Sequence, residues 1–300
     1  MKTLAASAML LCLAVGAASA DDDPPDWVFC TKPCTPSETT RRTLDRDELH
    51  AGMVCKRGSD LVVDAKRRLV VCTTARPTDL GGLPIAGDAY TIFHANGRIY
   101  QTSTRAAVMR TTAAGLEVPC ATGAIVLDPD GLLESCTLLR AIQTSPTLQI
   151  GHSIELHRGG QLAGGTIADP LRVGAITFPA GTIIRWTPTK IVAGGHLDAA
   201  LRVGGIAIQG DFTLHPDGAL HDVELGEPAT IAGMTFPVRA KISRRSDGTL
   251  ETAEFISKEG FMIHGEPWHD TTHQIFDRDG RLVSSTVTHW QSNSRPPKFR

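Results

Sequence analysis

The chain has 300 residues, of which 41% are hydrophobic and 21% are charged, so it is long enough to bury a core. Its 30 basic residues are matched by 32 acidic ones, and this balance excludes a strong electrostatic attraction to nucleic acid or to an anionic membrane. The 29 glycines and 18 prolines, set against 4 Trp, 2 Tyr and 9 Phe, predict a chain with many tight turns.

The N-terminus has the pattern of a signal peptide. Met1 and Lys2 are followed by an uncharged apolar run at 4–16, by Ala-Ser-Ala at 18–20 and by three aspartates. The apolar run is shorter than the about 20 residues that a spanning helix needs. We predict cleavage after Ala20 and a secreted or periplasmic mature chain. No later segment is apolar over about 18 residues, so no transmembrane helix is expected in the mature chain.

Three further regions follow the predicted signal peptide at 1–20. Residues 21–51, rich in Asp, Pro and Thr, are predicted to form an irregular leader that ends in a short helix near 43–50. Residues 52–287 are predicted to form a repeat array, because glycine and proline punctuate them at regular intervals. Residues 288–300, with Pro296, Pro297 and several basic side chains, are predicted to form a disordered tail.

One pattern recurs through the array: an apolar residue, three turn residues, a glycine, one residue, and then a second apolar residue. The glycines are predicted to be Gly97, Gly131, Gly160, Gly195, Gly218, Gly248 and Gly280, with Arg67 in the glycine position of an additional first copy. In the copy at Gly248 the first apolar residue, Ile242, lies two places further away. The steps of 34, 29, 35, 23, 30 and 32 residues give seven or eight units of about 30 residues.

Turn chemistry explains this pattern. Pro-Asp-Gly at 129–131 and 216–218 suits a type I turn whose glycine is left-handed, which closes a hairpin with a G1 bulge. Such a turn sets the flanking apolar residues face to face across the two strands. The predicted facing pairs are Leu127 with Leu133, Leu214 with Leu220, and Phe276 with Leu282.

Each unit contains a second element, a short alternating strand bounded by glycine or proline, as at 82–87, 174–179 and 204–210. Helical periodicity is scarce in the array. The sequence therefore predicts an all-β protein, an elongated array of β-hairpins. It leaves open whether the sheet is an open meander, coils into a solenoid or closes on itself.

A column of small residues supports the alignment of the units. Three places after the second apolar residue stand Cys72, Thr102, Cys136, Gly165, Ala200, Val223, Ala253 and Ser285. A small residue in every copy indicates a crowded site where neighbouring units approach each other.

Six cysteines remain once Cys12 is removed with the signal peptide, and an even number in an exported chain favours disulfides. Two of them stand in the small-residue column, and their unit-mates lie 17 and 16 residues earlier. We predict the disulfides Cys55–Cys72 and Cys120–Cys136, and a third, Cys30–Cys34, around Pro33. Free buried thiols are the alternative.

In its hairpins, glycine turns and short connections, the segment 52–287 resembles the MORN repeats and the related antitoxin-like repeats of bacteria. The resemblance implies hairpins that stack side by side into an elongated sheet. MORN units are shorter and carry Tyr and Trp in a Y-x-G-x-W-type core, whereas this chain has Tyr90, Tyr100 and four Trp. The lipid contact that the family makes through those aromatic positions is therefore not expected here.

Catalytic motifs are missing: the sequence has no G-x-S-x-G, H-E-x-x-H, P-loop, G-x-G-x-x-G or C-x-x-C. The most polar cluster, in the last unit, contains His264, His269, Asp270 and His273. These side chains could bind zinc or act as acid and base if Pro267 turned the chain. On a straight strand, His269 and His273 would lie about 13 Å apart, so surface or cross-strand histidines are the simpler interpretation.

The sequence thus predicts an exported, non-catalytic repeat scaffold or binding module of the cell envelope, since repeat arrays commonly present binding surfaces. No cofactor is expected. The partner would be an unidentified protein or an envelope polymer. The alternative is a secreted hydrolase with a histidine-containing site in the last unit.

Overall fold

The structure is a computed structural model that describes residues 39–263 and 266–291, with the side chains of 258–269 and 290–291 left out. Within these residues all regular elements are strands, and no helix is long and apolar enough to cross a membrane. The strands are β1 (Thr39–Thr43), β2 (Glu48–His50), β3 (Met53–Cys55), β4 (Asp60–Asp64), β5 (Leu69–Thr73), β6 (Thr78–Leu80), β7 (Leu83–Ile85), β8 (Tyr90–Phe93), β9 (Ile99–Thr104), β10 (Val108–Thr111), β11 (Glu117–Leu127), β12 (Leu133–Leu138), β13 (Ile142–Ser145), β14 (Leu148–Leu156), β15 (Leu162–Ile167), β16 (Leu171–Val173), β17 (Ile176–Phe178), β18 (Ile183–Trp186), β19 (Val192–Val203), β20 (Ile206–Leu214), β21 (Leu220–Leu225), β22 (Ala229–Ile231), β23 (Met234–Phe236), β24 (Lys241–Arg244), β25 (Leu250–Ile263), β26 (Glu266–Phe276) and β27 (Leu282–Gln291).

Eight hairpins form one large antiparallel sheet. They are β4–β5, β8–β9, β11–β12, β14–β15, β18–β19, β20–β21, β24–β25 and β26–β27, and we call the two strands of each its A strand and its B strand. The B strand of each of the first seven hairpins also pairs with the A strand of the next hairpin. The predicted all-β hairpin array is confirmed, and it is an open meander.

Each hairpin closes with the same five-residue turn. The first residue donates its N–H to the carbonyl of the fifth, and the fourth donates to the carbonyl of the first. The fourth residue has a positive φ, as a G1 turn requires. These fourth residues are Arg67, Gly97, Gly131, Gly160, Lys190, Gly218, Gly248 and Gly280, at steps of 30, 34, 29, 30, 28, 30 and 32 residues.

All three predicted facing pairs, Leu127 with Leu133, Leu214 with Leu220 and Phe276 with Leu282, are formed. In the seventh hairpin, however, Arg244 faces Leu250, and Ile242 pairs with Ala253.

The fifth turn differs from the prediction. It spans 187–191, with Lys190 at a φ of 64° in the glycine position, and Trp186 faces Val192. Gly195, which the sequence places in this turn, lies in β19 opposite Ile184. The alignment failed here because a lysine holds a conformation that normally selects glycine.

A shorter hairpin, which we call the arm, precedes each A strand, and an arm with its hairpin makes one unit. The arms are β2–β3, β6–β7, β10 with the start of β11, β13 with the start of β14, β16–β17, the end of β19 with the start of β20, β22–β23, and the end of β25 with the start of β26. The arms are the second element that the sequence predicts in each unit.

The arms fold over one side of the sheet. Backbone pairing ties arms to the B strands of their own units, at Cys55–Thr74, Ile85–Thr104, Cys120–Leu138, Ile150–Ile167 and Ile208–Leu225. The tip of the fifth arm reaches the sixth turn, since a Cβ added at Gly174 would lie 3.6 Å from the Gly218 carbonyl oxygen. We call this side of the sheet the covered face and the other side the open face.

The main core lies between the arms and the covered face. One residue of each of the first seven arms points into it, and these residues are at most 1% exposed: Cys55, Ile85, Cys120, Ile150, Phe178, Ile208 and Phe236. The small-residue column lies opposite them on the B strands. With the fifth turn corrected, its fifth member is Gly195, which is buried, and not Ala200, which is exposed.

Two units join these columns covalently. Cys55 bonds Cys72 and Cys120 bonds Cys136, with Cα separations of 5.6 and 5.8 Å, as predicted. In the fourth unit a Cβ added at Gly165 would lie 2.9 Å from Ile150 Cγ2, so glycine makes room for the larger arm residue. The predicted Cys30–Cys34 bond and the signal peptide lie outside the described residues.

The predicted leader contains strands. β1 and β2 lie where the sequence predicts an irregular segment ending in a helix; β1 pairs with β4, and β2 belongs to the first arm. Hydrogen bonds from Arg42 and His50 to the Glu48 carboxylate lower the pKa of Glu48 from 4.5 to about 2. The array therefore begins before residue 52. It also continues to Gln291, inside the segment predicted as a disordered tail, whose remaining residues lie outside the described part.

The substitution Gly195→Ala is expected to lower the free energy of unfolding by about 1–3 kcal/mol, as overpacking does. The added Cβ would lie 2.0 Å from the Ile183 carbonyl oxygen and 2.9 Å from Phe212 Cζ. Urea unfolding followed by circular dichroism measures the change. Ala200→Val is the control and should shift stability by no more than about 0.5 kcal/mol, because Ala200 is exposed. A destabilised control beside an unchanged Gly195→Ala would contradict the corrected register.

Candidate functional site

The register of the sheet places neighbouring residues in one row across the open face, with one residue from each A strand and one from each B strand. This open-face row is Val62, Val71, Ile92, Gln101, Val126, Ser135, Glu155, Gly164, Arg185, Gly194, Thr213, Asp222, Ser243, Thr252, Ile275 and Ser284. Its first three members are buried and form a small second cluster with Val70 and Tyr100. From the third unit onward most of the row is polar and accessible to solvent.

Two glycines interrupt the middle of the row, and we call the part from Glu155 to Gly194 the glycine segment. The motif Ala-Gly-Gly occurs at 163–165 and 193–195, so Gly164 and Gly194 leave two gaps in the row on either side of Arg185. Glu155 folds over the first gap, since a Cβ at Gly164 would lie 2.9 Å from Glu155 Oε2. Close backbone packing enforces the second glycine, because a Cβ at Gly194 would lie 2.3 Å from the Phe212 carbonyl oxygen. The exposed Glu155 carboxylate and the exposed Arg185 guanidinium therefore lie beside two buried glycines.

Asp222 lies at the centre of a hydrogen-bonded group beside the glycine segment. Its carboxylate accepts hydrogen bonds from the Thr213 hydroxyl at 2.8 Å and from the Ser243 hydroxyl at 2.7 Å. His221 Nδ1 lies 3.0 Å from the same carboxylate. Ser243 donates to a carboxylate and not to a histidine, so it does not have the histidine base that activates a serine nucleophile.

A second polar pair lies next to the glycine segment. His196 and Asp211 are opposite each other on β19 and β20, with Nδ1 and Oδ1 3.0 Å apart. Asp198 Oδ1 lies 3.5 Å from His196 Nε2. Sequence analysis missed this pair because fourteen residues separate the two partners along the chain. The repeated Ala-Gly-Gly motif was the available signal for this part of the face.

Burial raises the pKa values of Glu134 and of two tyrosines near the first three units. Burial and the neighbouring Asp128 carboxylate raise the pKa of Glu134, while His94 and Arg158 oppose the shift. Burial is also the first cause that raises the pKa values of Tyr90 and Tyr100. A negative charge at Glu134 is therefore disfavoured in the folded chain.

The turns form a hydrogen-bonded ridge along one side of the sheet. His94, His157 and His215 each stand first in a turn, and the Nε2 of each lies 2.8–2.9 Å from a backbone carbonyl at the next turn. The carbonyls belong to Leu127, Trp186 and Arg244. These histidines link successive units, so their role is structural.

The predicted histidine cluster is only partly described. His269 and His273 lie on the single strand β26, which keeps them about 13 Å apart, and the side chains of His264 and His269 lie outside the described part. Asp270 contacts His289, with Oδ1 and Nδ1 2.5 Å apart. Among the side chains that are described, no group of three His, Cys, Asp or Glu could hold a metal ion.

A small cavity of about 400 Å³ lies on the covered side, between the second arm and the second and third turns. Arg98 and Arg110 line it, and Arg110 donates a hydrogen bond to the Gly82 carbonyl at 2.8 Å. Burial lowers the pKa of Arg110. Both guanidinium groups donate to backbone carbonyls, Arg98 to Asp130 and Arg110 to Gly82. The two arginines therefore join neighbouring arms and turns around the cavity.

No known protein family matches the chain, and no curated protein matches it either.

Glu134→Gln is expected to stabilise the protein at pH 7 by less than about 1 kcal/mol, since Glu134 is partly exposed and its electrostatic cost is screened. A raised carboxyl pKa disfavours the ionised form, so the cost grows as the pH rises through the unfolded and then the folded pKa. Thermal unfolding should therefore show a gain at pH 7 that disappears near pH 3. Glu155→Gln, at an exposed site on the same face, is the control and should show no such gain. A loss of stability at pH 7 would contradict the assignment.

Proposed function

We propose that the protein is an exported, non-catalytic repeat scaffold that binds a polar component of the cell envelope, a polymer or a protein, on its open face. The binding region is centred on Glu155 and Arg185 in the glycine segment and extends to Asp222 and Ser243. No cofactor takes part.

The contrast between the two faces supports this proposal. On the covered face of the first seven units, equivalent positions hold small or apolar residues, because they pack in one common core. On the open face, equivalent positions of the A strands range from Ile92 to Glu155, Arg185 and Thr213. All units share one backbone, so packing does not dictate these differences. Repeat proteins commonly use such a face to bind ligands.

The exposed groups indicate the chemistry of the ligand. Glu155 and Arg185 offer one exposed charge of each sign, and the Thr213 and Ser243 oxygens, whose protons are donated to Asp222, can accept hydrogen bonds. Such a set suits a ligand rich in hydroxyl, amide or charged groups. A purely apolar ligand would take the Glu155 and Arg185 charges out of water without a partner.

Export is part of the proposal. Two disulfides fit an oxidising environment outside the cytoplasm. The signal-peptide pattern at 1–20 would direct the chain out of the cytoplasm. The MORN-like stacking of hairpins remains an analogy that supports a scaffold role, and no lipid contact is inferred from it.

Binding to the insoluble envelope fraction of the source cells tests the proposal. The purified protein should co-sediment with this fraction, and the double substitution Glu155→Ala and Arg185→Ala should weaken the binding by about tenfold or more, as loss of a central contact region does. Arg172→Ala is the matched control, because Arg172 is equally exposed but lies on the fifth arm. Its binding should equal that of the unmodified protein.

Equal binding by all three proteins would contradict a site on the open face. Turnover of any envelope substrate that is lost on His269→Ala or His273→Ala would contradict a non-catalytic role and favour the hydrolase alternative.

A further inference from the structure

We propose that two copies of the chain pair through β27, the last B strand, into a symmetric dimer with one continuous sheet. Each of the first seven B strands is paired on both sides, with its own A strand and with the next A strand. Within the described ranges, β27 pairs with β26 alone. The edge that seven units bury against a neighbour has no such neighbour among the described residues in the eighth unit.

Side chains of β27 are exposed where their counterparts are buried. Ser285 is exposed, whereas the other seven members of the small-residue column are buried. Leu282 is 46% exposed, but Leu220 and Leu250, which hold its place in the sixth and seventh units, are 7% and 2% exposed. Val283 and Val287 are also at least half exposed. An additional strand would cover this apolar edge.

The sequence of β27 lacks the usual protection of a free edge. Residues 282–291 contain no Asp, Glu, Lys, Arg or Pro, which are the residues that commonly prevent edge strands from pairing. Val283, Thr286, Val287 and Thr288 are β-branched and favour strand pairing. The free edge of β27 is therefore suited to pairing with another strand.

The opposite end of the sheet favours a symmetric partner. There β1 is only five residues long and carries Arg41 and Arg42, which pair with Asp60 and Glu48. Contact of β27 with β1 of another copy would set these arginines beside an apolar edge. Contact of β27 with a second β27 brings two identical apolar edges together, and the assembly is then complete with two copies.

An antiparallel register centred on Thr286 satisfies this contact. It sets Val287 opposite Ser285 of the partner subunit, and Val283 opposite His289 of the partner subunit. No like charges face each other, and a strand of this length supplies roughly ten backbone hydrogen bonds. The open face would then continue across both copies, which doubles the number of binding regions under the proposed function.

Light scattering of the purified protein at micromolar concentrations tests the dimer. We expect a mass twice that of one chain for the unmodified protein and a single-chain mass for Val287→Lys, because two lysines would meet near the two-fold axis without a counter-charge. The matched control is Thr40→Lys, an equivalent change on the β1 edge, which should remain dimeric.

A cysteine at the two-fold axis gives an independent readout if Val287→Lys does not fold. Oxidised Thr286→Cys should form a covalent dimer that the unmodified protein lacks. A single-chain mass for the unmodified protein, or a ladder of larger species, would overturn the proposal. So would a crosslink between Thr286→Cys and Thr40→Cys in preference to the symmetric one. Envelope binding is measured separately, so failure of the dimer leaves the proposed function testable on its own.

Discussion

The contact between each arm and the small-residue column of its own B strand holds the protein together. A hairpin sheet alone would expose both faces, and the arms bury one of them. The arm residue must fit the space that the small residue leaves. In the fourth unit Ile150 packs on Gly165, and in the first and third units the two positions are joined as disulfides. In the fifth unit, Phe178 stacks on Phe212, whose ring also lies against Gly195.

This constraint separates the two faces of the sheet. Because the covered face must accommodate an arm in every unit, its residues are confined to small or apolar types. The open face carries no such requirement from the third unit onward, and there the units differ in charge and polarity. The edge at β27 has a related cause. Every earlier B strand pairs with the A strand of the next unit, and no further A strand follows β27 among the described residues. Packing thus dictates the residues of one face and leaves those of the other face free to vary.

The local chemistry of the turns made most of the fold predictable from the sequence. Gly131 and Gly218 follow Pro-Asp, and that tripeptide specifies both the turn and the facing apolar pair. The two disulfides followed from the same register. Lys190 broke the prediction, because its side chain gives no sign of a left-handed backbone. β1 and β2 were missed because their Arg- and Glu-rich sequences lack apolar alternation, and their strands are stabilised by pairing with distant residues.

The candidate site was less predictable. His196 meets Asp211, and Thr213 meets Asp222, only through strand register, and a one-residue error in register would move each of these side chains to the other face. The sequence drew attention instead to the last unit, where histidines are dense but lie along one strand. Local density of polar residues was therefore a weaker guide than the pairing of strands.

The packing of Gly195 against Phe212 can be observed most directly by nuclear Overhauser effects in solution. We predict strong effects between the α protons of Gly195 and the ring protons of Phe212, and effects between the rings of Phe178 and Phe212. No effect is expected between the Ala200 methyl group and the Phe212 ring. A strong effect from Ala200 to Phe212, with none from Gly195, would contradict this packing of the arms on the small-residue column.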